Sequence, residues 1–292
     1  MKKMTAPPPL TRLVQRAPML SYSASNLLQV MTTASHELED VIRLVKHDSI
    51  LTAQVLRVVN SPVFAPLQPI TTIERAVLYL GEKIIVGIAV ADSAVKLLHT
   101  RLEGYEAKQG DLWRHDLFTA IASREVIRYA KNEIDAGVAF TGGLLHDIGK
   151  AIISDCLAGT SREVLYRIEQ GVVSDYITAE QELLGYDHAV AGSELAVHWG
   201  LPEALQAVVR YHHQPELAPK EYRGLVYAVH LGDIIAMMWG QDTGSDGMQY
   251  QLDTRYTAYF EISPEQLAMI MLTAQDAFEE INQDFLPSKE AK

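Results

Sequence analysis

Apolar residues recur three and four positions apart along nearly the whole chain, and no segment alternates them two apart over any convincing length. That spacing confines the fold to helices, because a strand with one buried face needs a period of two. Leu38, Val41, Ile42 and Val45 form one such stripe. Ser35 reads as its N-cap, and Glu37, Glu39 and Asp40 supply the negative charge that a helix start favours. Ser49 heads a second stripe of Leu51, Val55, Leu56 and Val59, which Asn60-Ser61-Pro62 stops.

Further helices are expected over 73–80, closed by Gly81 in the left-handed region, and over 82–99. Beyond these, 112–130, 136–156, 188–198, 203–212 and 225–239 carry the same period. Gly240 to Gly247 reads as a loop, Leu252 to Phe260 as a short extended piece, and Ser263-Pro264-Glu265 as the start of a last helix reaching about Gln283. The fold class is therefore all-α. Arg101 to Asp111, with Gly104 and Gly110, is the expected boundary. It divides an N-terminal helical lobe (10–104) from a larger one (105–292), after a disordered lead-in (1–9) that contains Pro7-Pro8-Pro9.

Composition narrows the function. A net charge of −12 repels nucleic-acid backbones and anionic lipid, so no direct nucleic-acid binding is expected. No run of about 18 apolar residues is present to span a bilayer, and the N-terminus lacks the apolar core of a signal peptide. The single cysteine, Cys156, rules out an internal disulfide and fits a reducing, cytoplasmic setting; it reads as a small core residue.

The chemistry-bearing run is Gly143-Leu144-Leu145-His146-Asp147-Ile148-Gly149-Lys150. An adjacent His and Asp offer nitrogen and oxygen to one ion, a donor mix that suits Fe, Mn, Zn or Ni. Alone the pair reads as a buried hydrogen bond, but His115, His188, His212, His213 and Asp233 each fall on or beside a helix of the same bundle. Metal sites in helical proteins are built from facing helices in this way.

GLLHDIGK, DHAVAGSELAVHWGLP and YHHQP resemble the HD superfamily of metal-dependent phosphohydrolases. The upstream DSILTAQVLRVVNSPVF and PITTIERAVLYLGEKIIVGIAV resemble its HDOD branch, over about Leu10 to Asp233. The resemblance implies an HD-type bundle with His115, His146, Asp147 and Asp233 on a first metal. His188, His212 and His213 match the further ligands of the cyclic-dinucleotide-hydrolysing HD-GYP branch, which hold a second. The Gly-Tyr-Pro loop of that branch is absent; the chain continues QPELAPKEYRG.

The implied function is a metal-binding HDOD signalling protein, with hydrolysis of a nucleotide or other phosphoester at one or two divalent ions. Iron stands first among these, then manganese, zinc or nickel. Asp147 and Lys150 would be catalytic, with Lys150 offering its ammonium to the phosphate or else lying on the surface. The alternative is a non-enzymatic interaction module with structural or vestigial metal and a signalling protein as partner. An oxygen- or redox-sensing iron site is compatible with the same ligands. Asp111 reads as a cap ahead of an extra acidic ligand, His36, His47 and His99 as surface or capping residues, and His198 and His230 as satisfied core histidines. His230 can also support Asp233, and Asn60-Ser61 reads as a helix stop. Nothing in the sequence fixes an oligomeric state.

Overall fold

The computed structural model describes residues 7–31 and 35–285. Residues 1–6 of the expected lead-in and the last residues, 286–292, lie outside them. Within the described residues the chain is helical, with no strand and only two isolated bridges, Leu102–Ala107 and Ala130–Phe260. The helices are α1 (Leu10–Val14), α2 (Tyr22–Met31), α3 (Leu38–Lys46), α4 (Ser49–Val59), α5 (Ile73–Leu80), α6 (Glu82–Leu98), α7 (Asp111–Val126) and α8 (Ala136–Leu145). There follow α9 (Ile148–Ile153), α10 (Ser161–Glu169), α11 (Tyr176–Leu184), α12 (His188–His198), α13 (Glu203–Tyr211), α14 (Arg223–Met238) and α15 (Pro264–Phe285).

Side-chain oxygens set most of the starts. Asp48, one residue before the expected Ser49, caps α4 by accepting from the N–H groups of Ile50 and Leu51. The expected Ser35 cap is replaced by Glu37, whose N–H donates to Asp40 Oδ2 at 3.2 Å. Ser263 and Gln266 exchange reciprocal bonds at the head of α15, a capping box. Asn60 and Ser61 do stop α4, Asn60 by bonding to Leu56 and Ile70 and Ser61 by bonding to the Val58 carbonyl. Gly81 has the positive φ expected of it, 80°, but ψ is 157°, so the chain leaves α5 extended instead of in the left-handed helical well.

Three expectations are corrected. The continuous helix over 136–156 breaks at His146-Asp147 and resumes as α9. The extended piece at 252–260 is a short 3₁₀ turn, Thr254–Ala258. Pro8 is tied down, its carbonyl accepting from the Tyr186 hydroxyl at 3.1 Å. Helices α1, α2, α10 and α11 were not anticipated; they are short or carry few strongly apolar positions.

The bundle centres on α7, which packs against α8, α14 and α15. Helix α12 lies against α9 and α13, and α6 joins α8 to the N-terminal helices α2, α4 and α5. Two close approaches need glycine. A Cβ on Gly232 of α14 would fall 2.2 Å from Ser123 Oγ of α7, and one on Gly149 of α9 would fall 1.9 Å from the His188 carbonyl. These contacts bring Asp233 to His115 and the His146-Asp147 break to His188.

Candidate metal centre

Helix α7 carries His115, the α8–α9 break carries His146 and Asp147, α12 opens on His188, α13 ends into His212 and His213, and α14 carries Asp233. The start of α12 is fixed by Asp187, which accepts from the Val190 N–H at 2.7 Å. All seven residues sequence analysis named as ligands converge at one buried place.

Asp147 is its centre. Its Oδ2 lies 3.4 Å from His115 Nε2 and 3.6 Å from His146 Nε2, while Asp233 Oδ1 is 3.2 Å from His115 Nε2 and 3.8 Å from His146 Nε2. Its other oxygen, Oδ1, lies 3.2 Å from His188 Nε2 and 3.4 Å from His212 Nε2, and His188 Nε2 is 2.9 Å from His213 Nε2. Two donor groups thus share one carboxylate, each oxygen facing a different group.

The imidazoles are held with their Nε2 atoms inward. His115 Nδ1 faces the Gln241 carbonyl at 2.7 Å, His146 Nδ1 the Gly143 carbonyl at 2.8 Å and His212 Nδ1 the Val209 carbonyl at 3.0 Å. A carbonyl only accepts, so in each neutral ring Nδ1 carries the hydrogen and Nε2 the lone pair. His188 Nδ1 sits 2.8 Å from Glu180, which also accepts from the His188 N–H and the Tyr105 hydroxyl. A carboxylate behind a ligating histidine raises its basicity and fixes its tautomer.

The result is a knot of acceptors with too few hydrogens between them. Asp147 Oδ1, His212 Nε2, His213 Nδ1 and Asp233 Oδ2 are buried with no hydrogen-bond partner, and Asp147 Oδ2 has only the Lys150 ammonium as a cationic partner. Two donors on one ion at about 2.1 Å sit roughly 3.0–3.5 Å apart, close to the spacings here. Buried lone pairs left unpaired are costly, so a cation fits these residues.

The charges agree. Burial pushes Asp147 and Asp233 toward neutrality, but Lys150 and the imidazoles at Asp147, and the His115 and His146 imidazoles at Asp233, outweigh it and hold both well below the usual carboxylate range. Burial lowers His115, His146 and His188 as well, yet the adjoining carboxylates win, carrying His188 up to about 10. Those same carboxylates favour any cation at Nε2, so metal and protons compete there. Burial, opposed by Asp147, holds His212 down at about 4, and burial with its two histidine neighbours keeps His213 well below the usual value, so both rings stay neutral.

Lys150 is buried, which removes the surface reading. Its ammonium lies 2.6 Å from Asp147 Oδ2, 2.5 Å from Asp246 Oδ2 and 2.9 Å from Thr243 Oγ1. Asp111 accepts from the Lys108 N–H at 2.7 Å and shapes the turn before α7. His230 is a satisfied core histidine: Nδ1 donates to the His212 carbonyl at 2.8 Å and Nε2 accepts from the Asp253 N–H at 2.9 Å. His36 pairs with Glu82 at 2.7 Å, and His99 stacks on Trp113. Cys156 is half-buried, less enclosed than its apolar sequence suggests.

Sequence reasoning missed Asp116, Glu180, Thr243, Asp246 and Tyr250. Asp116 was legible, since His115-Asp116 is a second His-Asp pair; its oxygen lies 3.5 Å from His146 Nδ1, and burial pushes its carboxyl up to about 8. Glu180 lies on α11, which the sequence did not signal; Thr243 and Asp246 come from the segment read as a loop, and Tyr250 from the residues between that loop and the expected extended piece.

The HDOD domain family model matches residues 17–215, and the chain belongs to that family. An uncharacterized protein of Treponema pallidum (strain Nichols) is 24% identical over 264 residues, 87% of this chain. The chain spans about half, 49%, of the length of that relative. An HDOD domain protein of unknown function from Geobacter sulfurreducens superposes with a TM-score of 0.64 at 22% identity, covering 94% of this chain and 92% of its own. A candidate phosphohydrolase from Shewanella amazonensis SB2B gives 0.63 at 25% identity, over 93% and 97%. A candidate signal transduction protein from Marinobacter aquaeolei VT8 gives 0.70 at 17%, over 97% of this chain and 62% of its own. No helix among the described residues is long and apolar enough to cross a membrane.

Proposed function

We propose that this chain is a metal-binding HDOD signalling protein whose centre hydrolyses a phosphoester, with a nucleotide among the substrate class. His115, His146, Asp147 and Asp233 would hold one divalent ion, and Asp147, His188, His212 and His213 the other. Iron, manganese, zinc and nickel all suit this mixed nitrogen and oxygen set. The observation that carries the reading is Asp147, a buried carboxylate with each oxygen turned to a separate set of imidazole nitrogens. The 25% identity to a candidate phosphohydrolase supports the same class.

Bound ions would lower the pKa of water and hold phosphate oxygens. The protein's own residues orient and charge the centre. Lys150 keeps Asp147 ionised, and with all three donors engaged by Asp147, Asp246 and Thr243 it is a positioning residue. Glu180, Gly143, Val209 and Gln241 fix the imidazoles.

One observation favours the interaction-module alternative: the ligand side chains are almost wholly buried, which suits a structural metal. The Asp147→Asn variant separates the two. One to two equivalents of metal in anaerobically purified protein, lost in the variant, are expected by elemental mass spectrometry. A folded variant that loses phosphoesterase activity supports the enzyme. Unfolding, with no activity in the parent, supports structural metal. Absence of metal after reconstitution with each ion defeats the enzyme and leaves a helical interaction module.

A further inference from the structure

Tyr250 stands between the buried centre and an open cavity, and we propose that it is the gate through which ligands reach the metal. This rests on the metal reading above and adds the route and the residue that controls it.

The segment after α14 is laid across the centre by polar contacts. The Gln241 carbonyl holds His115, Thr243 and Asp246 hold Lys150, and the Asp253 N–H meets His230. It is also pinned from below, the Ser245 N–H donating to the Tyr105 carbonyl at 2.7 Å. Gly244 permits this approach: its φ is 100°, and a Cβ there would lie 2.3 Å from the same carbonyl oxygen. Met248 sits at φ 59°, a conformation costly for a side-chain-bearing residue.

Beneath it the centre is closed. The side chains of Asp147, His188 and His212 are at most 1% exposed, and His213 is 8% exposed. No phosphoester reaches ions held there without something moving. His213 lies in the wall of a cavity of about 520 Å³, which Tyr250, Thr178, Gln181, Leu252 and Arg255 also line. That volume falls within the roughly 300–1,000 Å³ of small-molecule sites. Four other cavities in the described part of the chain touch no residue of the centre.

The Tyr250 ring stacks on His213 with centroids 4.1 Å apart and planes at 23°. Its hydroxyl donates to Asp246 Oδ2 at 2.8 Å, and the Lys150 ammonium lies 5.2 Å from the ring centroid. One side chain therefore covers most of the path, and swinging it aside uncovers the face of His213 that it stacks on and opens His188 behind it to the cavity, without unfolding a helix. The cavity's amide and hydroxyl groups can hydrogen-bond the polar leaving group of a phosphoester, while the Arg255 guanidinium in the same wall is paired with Asp253.

The test is the rate at which purified protein releases metal to excess dipicolinate. Tyr250→Ala is expected to release it at least tenfold faster at unchanged starting stoichiometry; an unchanged rate overturns the gate. Should that variant lose metal or fold, a second one decides. Leu252→Cys on a Cys156→Ser background, labelled with a bulky maleimide, plugs the cavity mouth with Tyr250 intact. Release at least tenfold slower after labelling supports the route, whereas no slowing, or equal slowing from a label at the distant exposed Met269→Cys, overturns it. Protein that binds no metal defeats the proposed function but leaves the gate testable. Carbethoxylation of His213 must then be at least tenfold faster in Tyr250→Ala, with exposed His47 and His198 (exposed at the end of α12, not in the core as the sequence suggests) as unchanged references, and equal rates overturn the gate.

Discussion

Between Tyr22 and Leu98 the described buried side chains are apolar, with Ser61 the polar exception. Between Asp111 and Met238 the same kind of helix packing encloses His115, Asp116, His146, Asp147, Lys150, Glu180, His188, His212 and Asp233. The N-terminal helices use their interior to hold themselves together. The bundle uses part of its interior to hold lone pairs and charges close to one another, which folding alone disfavours. An interior of that kind needs an external cation, or a cost carried by the surrounding apolar packing, and the two regions should respond differently to perturbation.

Metal removal should expose the difference most strongly. Ions at a free concentration a thousandfold above their Kd stabilise the folded chain by about 4 kcal/mol. Chelation is expected to strip hydrogen-exchange protection from α7, α9, α12 and α14 and to leave α4 and α5 protected. Uniform loss over both regions would erase the comparison.

Leu27→Ala tests the other region. Leu27 is fully buried on α2, and the cavity left should cost about 3 kcal/mol in denaturant unfolding while metal stoichiometry stays the same. Loss of metal in this variant would show that the two regions are energetically one.

Within the bundle, Glu180→Gln weakens the carboxylate behind His188 without touching the Asp233 side. Competitive metal titration should show one site weakened by roughly 10–100-fold and the other unchanged. Equal weakening of both would mean that the halves sharing Asp147 do not act separately.

The smallest effect concerns Asp92, the ionisable group that α6 presents beside Gln54 in a small apolar cavity near Trp113. Burial, with the Asp48 charge adding, raises its pKa. The folded state then binds the proton more tightly than the unfolded state, so stability falls as pH rises from the ordinary aspartate value through the raised one. Asp92→Asn removes that loss. A rise in Tm of roughly 1 to 2 °C is expected at neutral pH and none near pH 3, on a scale of a few degrees per kcal/mol.

The helices that carry ligands were legible because apolar residues recur along them at helical spacing; of α7, α12, α13 and α14 only α12 has a side-chain cap, Asp187. Helix α12 was placed to the residue, and α13 and α14 to within two, since their apolar periods stop at Trp199, His212 and Trp239. The break at His146-Asp147 was not legible. Apolar residues continue at helical spacing through Leu145 and Ile148, and the turn there goes with the packing of Gly149 against the His188 carbonyl, a contact distant in sequence. Lys150 illustrates the same limit. A lysine one turn past a His-Asp pair has no sequence signature that separates a solvated side chain from one buried against Asp246, far along the chain.

The sequence by itself determined that the chain is helical, that it belongs with the HDOD proteins, and that seven ligand-type side chains lie on or beside helices of one bundle. Those are properties of period, capping and residue type, which act over a few positions. Tertiary structure alone decided that Asp147 turns one oxygen to each set of imidazoles, that Glu180 and three carbonyls aim those rings, and that Tyr250 closes the way in. Each depends on where side chains distant in sequence are brought within about 3 Å, and hydrogen bonds and ion pairs form only at that range.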